Sequence, residues 1–96
     1  MADARPIPAE VAELIGCQVV VDTDSSYLYI GNLEAAGGDF LVLTNLDAHD
    51  MADTKTTKEY YVHETKHLGT RVNRKKTYVR LARVISLCKL DDVITF

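Results

Sequence analysis

Three stretches of this chain carry residue types that can do chemistry. His63-Glu64-Thr65-Lys66-His67 matches the H-E-x-x-H pattern of zinc proteases. On a helix its histidines stand one turn apart on one face, able to share a metal ion with the glutamate as base. Lys66 puts a positive charge inside the pattern, and no third ligand follows at the expected spacing. His63 and His67 therefore read as part of a solvated helix face with only adventitious affinity for zinc or nickel. Asp47, His49, Asp50 and Asp53 form a second, acidic cluster that could hold a divalent cation through oxygen ligands. It lacks the glycine and terminal glutamate of an EF-hand loop, and a solvated loop is expected. The third stretch is basic. Arg71, Arg74, Lys75, Lys76, Arg80 and Arg83 fall within thirteen residues, with Tyr78 among them. Such a run can track a phosphate backbone, or face the acidic half of a neighbouring copy.

The charge is divided along the chain. Residues 1–53 hold one basic and ten acidic residues, a net of -9, while residues 54–96 hold ten basic and four acidic, a net of +6. Nothing in the sequence pairs a nucleophile with a base, cradles a phosphate with glycines or sets two carboxylates in distinguishable surroundings. The expectation is a protein that is not an enzyme and needs no cofactor. A length of 96 residues fits a single domain spanning 1–96 without a deep cleft between lobes. No apolar run approaches the roughly 20 residues that cross a bilayer. Met1 to Glu10 has neither the positive start nor the apolar stretch of a secretory signal. Cys17 and Cys88 sit in apolar blocks, as small buried hydrophobes do. A cytoplasmic protein without membrane contact is expected.

The elements that position these groups are mostly strands. Pro6-Ile7-Pro8 reads as an extended lead-in, and Val11, Leu14 and Ile15 make one apolar stripe of a short helix over about 8–15, stopped by Gly16. A first β block covers 17–46. It opens on Val19-Val20-Val21, turns at residues 22–26, alternates from Tyr27 to Leu33, turns at Ala36-Gly37-Gly38-Asp39 and resumes from Phe40 to Leu46. Gly31 inside an alternating strand predicts a sharp bend or a close backbone approach. Residues 47–75 read as an insert, strandless over 47–57 and then helical from Thr57 to Leu68. Thr56 or Thr57 would cap that helix, Tyr61, Val62, Thr65 and Leu68 would form its packed stripe, and Gly69 would end it. Tyr60-Tyr61-Val62 could also open a strand. A second β block, 76–90, is two strands joined by a tight corner at Ala82-Arg83, and the tail 91–96 is half apolar and expected to dock.

In this order and pattern the chain resembles the Sm/LSm family. Leu14-Ile15-Gly16, Val19-Val20-Val21, Tyr29-Ile30-Gly31-Asn32-Leu33 and Phe40-Leu41-Val42-Leu43 are similar to the first Sm motif. Tyr78-Val79-Arg80-Leu81-Ala82-Arg83-Val84-Ile85-Ser86-Leu87 is similar to the second. The resemblance implies a mainly β fold: a strongly bent five-stranded antiparallel β-barrel with a short N-terminal helix and a partly helical insert between strands 3 and 4. It implies a homo-oligomeric ring of about five to eight copies, closed by pairing the free edges of strands 4 and 5. It also implies single-stranded RNA in or near the pore, with Asp39 and Arg80 at matching positions. Phe40 stands where the family has a base-reading asparagine and Leu81 where it has a glycine. Phe40 would then stack on a base or serve as a core residue, and core is the expectation. Arg74, Lys75, Lys76 and Arg83 would add charge. The alternative is an oligomeric assembly module without RNA, meeting a protein partner at the insert.

Overall fold

The computed structural model describes residues 7–95; Pro6 of the expected lead-in and Phe96 of the tail lie outside them. Five antiparallel strands form one sheet in the order β4-β3-β2-β1-β5. They are β1 (Gln18–Thr23), β2 (Tyr27–Gly37), β3 (Phe40–Asp50), β4 (Arg74–Arg80) and β5 (Val84–Lys89). A short helix α1 (Ala9–Ala12) precedes them and α2 (Lys58–Leu68) joins β3 to β4. The protein is mainly β. The sheet does not close as a barrel: β4 and β5 are its two edges.

Alternation sorts the apolar residues onto two faces. Val19, Val21, Leu33, Leu41, Leu43 and Val79 form the larger core on one side, where Leu14 and Leu87 pack against it. Val20, Leu28 and Ile30 point the opposite way, into a second cluster with Tyr61 and Val62 of α2 and with Leu90. The unbroken run Val19-Val20-Val21 is thus a strand buried on both faces. The face with the larger core is called the core face below, and the other the outer face.

Gly31 marks a close approach, as its place in the pattern predicts. A Cβ there would lie 2.4 Å from the Leu46 Cβ and 2.8 Å from the Leu46 Cα. The β2–β3 register shifts at this point, with Ile30 opposite Asp47 but Asn32 opposite Thr44. The extra β3 residue is absorbed where Asn45 takes φ +46°, and a bulge of this kind bends the strand.

Several boundaries differ from the sequence expectation. The first helix is shorter than 8–15: after Ala12 the chain tightens, with Leu14 and Ile15 amides donating three residues back to Val11 and Ala12. The hairpin turn narrows to Gly38 and Asp39, because β2 continues through Gly37. Residues 47–50 are strand, not loop, and Met51–Asp53 form a 3-10 turn. α2 starts as expected at Thr57, whose hydroxyl accepts the Tyr60 amide at 3.1 Å, and stops at Gly69 with φ +90°. Leu68 is exposed rather than packed. Cys88 is exposed as well, against the expectation of burial, and both cysteines are free thiols. β4 begins two residues early, so Arg74 and Lys75 belong to the strand itself.

Two lysines fasten α2 to the rest. Lys58 Nζ donates to Asp22 Oδ1 at 2.5 Å, to the Ser25 carbonyl at 3.0 Å and to the Thr23 carbonyl at 3.2 Å. Lys66 Nζ donates to the carbonyls of Asp91 and Val93, holding the tail against the helix. Among the described residues, no helix is long and apolar enough to cross a membrane.

Candidate functional site

The two turns singled out by the sequence lie against each other. The β2–β3 turn is tight because Gly38 takes φ +57°, a conformation that side chains disfavour. The β4–β5 corner is a single 3-10 turn, Leu81–Arg83. The Leu81 amide donates to the Asp39 carbonyl at 2.8 Å, joining one turn to the other. The β3–β4 register then ends with Phe40 directly opposite Arg80.

This pairing builds a small aromatic and cationic surface. Leu41, Leu43 and Val79 face the core, so their strand neighbours Phe40, Tyr78 and Arg80 face outward. The Arg80 guanidinium carbon lies 5.6 Å from the Phe40 ring centroid, within cation–π range. Tyr78 meets Phe40 edge-to-face at 6.2 Å, and Lys76 Nζ stands 5.8 Å from the Tyr78 ring. Phe40 is 39% exposed and Tyr78 61%. Phe40 is therefore not a core residue. The core positions on either side of it are already taken by Leu41 and, across the strands, by Val79. Tyr78 is the member of this surface to which the sequence reading gave least weight. Its i, i+2 spacing to both Lys76 and Arg80 was the available signal.

The remaining basic residues are divided. Lys76 reaches Glu34 at 3.4 Å, which raises its pKa. Arg83 turns away from Phe40: its Nε donates to Asp24 Oδ1 at 2.7 Å, while the Asp24 amide donates to the Arg83 carbonyl at 3.0 Å. That clasp fixes the corner to the β1–β2 turn. Arg71 reaches Glu64 at 3.4 Å. Arg74 and Lys75 are exposed at the start of β4; burial and then Tyr27 raise the Tyr29 pKa, with Arg74 acting against them. A pocket of about 270 Å³ lies beside the corner, lined by Tyr29, Tyr78, Arg80 and Arg83 together with the β1–β2 turn.

The acidic cluster is taken apart by the fold. Asp47 is 2% exposed, accepting the Tyr61 hydroxyl and, at 3.2 Å, the Asn73 amide. Asn73 also bonds both backbone groups of Ala48, with its Oδ1 accepting the amide at 2.9 Å. The expected solvated loop is instead a buried carboxylate that docks α2 on the sheet. Asp50 accepts from the Ser26 hydroxyl at 2.6 Å and from the Ala52 amide at 3.0 Å, and both bonds lower its pKa. His63 and His67 share a face of α2 with Tyr60 and Leu68. Among the described residues, no three or more His, Cys, Asp or Glu side chains are gathered so as to hold a metal ion. Comparison with known proteins found no matching family model and no similar curated protein.

Proposed function

We propose that this chain is an Sm-like subunit, an open five-stranded sheet that closes into a ring through its two edges and binds single-stranded RNA beside the β4–β5 corner. The observation that carries the reading is the junction of the two turns: Leu81 bonded to Asp39, with Arg80 held over an exposed Phe40. An exposed aromatic ring beside a cation accepts a base by stacking, which tolerates any sequence, while the guanidinium meets the phosphate. Arg74, Lys75 and Lys76 extend the positive surface along β4. The strand order supports assembly, since it leaves β4 and β5 as unpaired edges.

The test is fluorescence anisotropy with short single-stranded RNA at several salt concentrations. Wild type binds, and Arg80→Ala weakens binding and lowers the salt slope by about 0.7, the value for one lost phosphate contact. Undiminished binding by Arg80→Ala removes the corner from the account.

A second reading is an assembly module without RNA. It is favoured by the partners the basic residues already have, since Arg71, Lys76 and Arg83 each reach a carboxylate within the chain. A closed oligomer with no oligonucleotide affinity at about 100 mM salt would select it.

A further inference from the structure

A cleft of about 390 Å³ opens on the outer face, between α2, β5 and the tail. Its floor is apolar: Val20 and Leu28 of the sheet and Val62 of α2, all buried. Val93 and Ile94 of the tail make one wall, and Ile94 is 77% exposed. The rim is polar. Asp22 and Ser86 come from paired positions on β1 and β5, and Lys58, Glu59 and His63 from α2. Small-ligand pockets have this build, an apolar lining with a few placed polar groups, in volumes of about 300–1,000 Å³.

We propose that this cleft binds a small organic ammonium ion, an amine whose apolar body lies on Val20, Leu28 and Val62 while its charge meets Glu59. Charge selects the ligand. A lysine ammonium has three donors, and those of Lys58 are taken by Asp22 Oδ1 and by the Thr23 and Ser25 carbonyls. Lys58 is thus saturated and offers an anion nothing. The Glu59 carboxylate is exposed and forms no ion pair among the described residues. With Asp22 already matched by Lys58, Glu59 sets the sign of the rim, and that sign draws a cation.

Size and position narrow the ligand further. At about 390 Å³ the cleft lies near the lower end of the range for such pockets, so it takes a single ring rather than a length of peptide. Neither RNA nor a ring of subunits is needed for such binding. The sheet, α2 and the tail that enclose the cleft are distant in the chain. An amine lying across them would hold α2 and the tail to the sheet, adding to the clamps made by Lys58 and Lys66. A ligand that binds only the folded chain raises its thermal stability.

The experiment is a heteronuclear NMR titration of the full chain with three probes that share one ring: phenethylamine, phenethyl alcohol and hydrocinnamate. Glu59→Gln and Ile94→Ala, both at exposed positions, are titrated beside wild type. Phenethylamine saturates, with its shifts gathered at Val62, His63 and Ile94. The alcohol binds about fivefold more weakly and hydrocinnamate more weakly still. Glu59→Gln weakens the amine about fivefold, the upper range for one exposed ion pair, and leaves the alcohol unmoved. Ile94→Ala weakens amine and alcohol alike, which a loss of charge would not do. Equal binding of amine and hydrocinnamate, or an amine affinity unmoved by Glu59→Gln, overturns the proposal. Shifts that never saturate, or that centre away from the cleft, mean an adventitious additive only and overturn it as well.

Discussion

Gly31→Ala should destabilise the protein strongly although it adds one methyl group. The new carbon would stand 2.4 Å from the Leu46 Cβ, 2.8 Å from the Leu46 Cα and 3.1 Å from the Thr44 carbonyl oxygen. Carbon atoms pack at about 3.5–4.0 Å, so β3 must retreat by about 1 Å. No rotamer change relieves this, because two of the three atoms in the way are backbone and the third, the Leu46 Cβ, does not move with χ1. Leu46 is also held in place: its carbonyl accepts the Asn73 amide at 2.9 Å, and Asn45 beside it already takes φ +46°. The cost belongs at the upper end of the overpacking range, about 3 kcal/mol. Alanine stiffens the unfolded chain and returns up to about 1 kcal/mol, leaving a loss of about 2 kcal/mol. For a domain of this size that lowers Tm by roughly 8–16 °C. Thermal unfolding followed by circular dichroism reads it, at one fixed protein concentration because self-association would raise Tm. A Tm within about 3 °C of wild type would refute the argument, and with it the view that the absent Cβ lets β3 fold across β2.

The remaining predictions concern α2 and the corner. Tyr61→Phe deprives the buried Asp47 of a donor and should cost about 1.5–3 kcal/mol in urea unfolding; an unchanged midpoint would mean the bond does not dock the helix. Burial, and then the bond to Asp47, raise the Tyr61 pKa above its ordinary value of 10.0. The stability this contributes is intact below about pH 10 and is lost as pH rises from there toward the folded-state pKa. Tyr61→Phe should flatten that alkaline decline, and parallel pH profiles for the two proteins would contradict the assignment. Phe40→Ala should weaken single-stranded RNA binding by about 1–3 kcal/mol, with Phe40→Tyr close to wild type; equal affinities for all three would place the bases elsewhere. Zinc should leave the Tm of wild type and of His63→Ala with His67→Ala equally unmoved, and a zinc-dependent Tm in wild type alone would revive the metal site.

Where the pattern of side chains was set by the strand itself, it could be read directly. Leu28 and Ile30 against Leu33, or Leu41 and Leu43 against their neighbours, follow the two-residue period and fall on opposite faces as expected. The same period would have put Phe40 outward with Val42, but aromatic character argued for burial, and a residue at the end of a hairpin escapes it. The end of β3 was hidden for the opposite reason. Asp47, His49 and Asp50 look like loop residues, and only the tertiary partners Tyr61 and Asn73, 14 and 26 residues further on, make a buried carboxylate tolerable there. Leu68 has helical spacing but lies in the last turn of α2, beyond the cluster that Tyr61 and Val62 fill. The junction of Asp39 with Leu81 is a backbone bond and leaves no trace in side-chain type.

The two-sided burial of β1 also orders events in time. Val20 must find Leu28 and Ile30 locally, but its strand is completed by the distant Cys88 of β5 and covered by Tyr61, Val62 and Leu90, all later in the chain. In chain order the β1–β2–β3 meander is complete before α2 and β5, and its short-range pairs favour early formation with both apolar faces still bare. Closing the distant β1–β5 pair is the slow step that such non-local contacts impose. Until then the growing chain is at its most adhesive, so its vulnerability to aggregation is greatest during synthesis, before α2 and β5 exist to shield it.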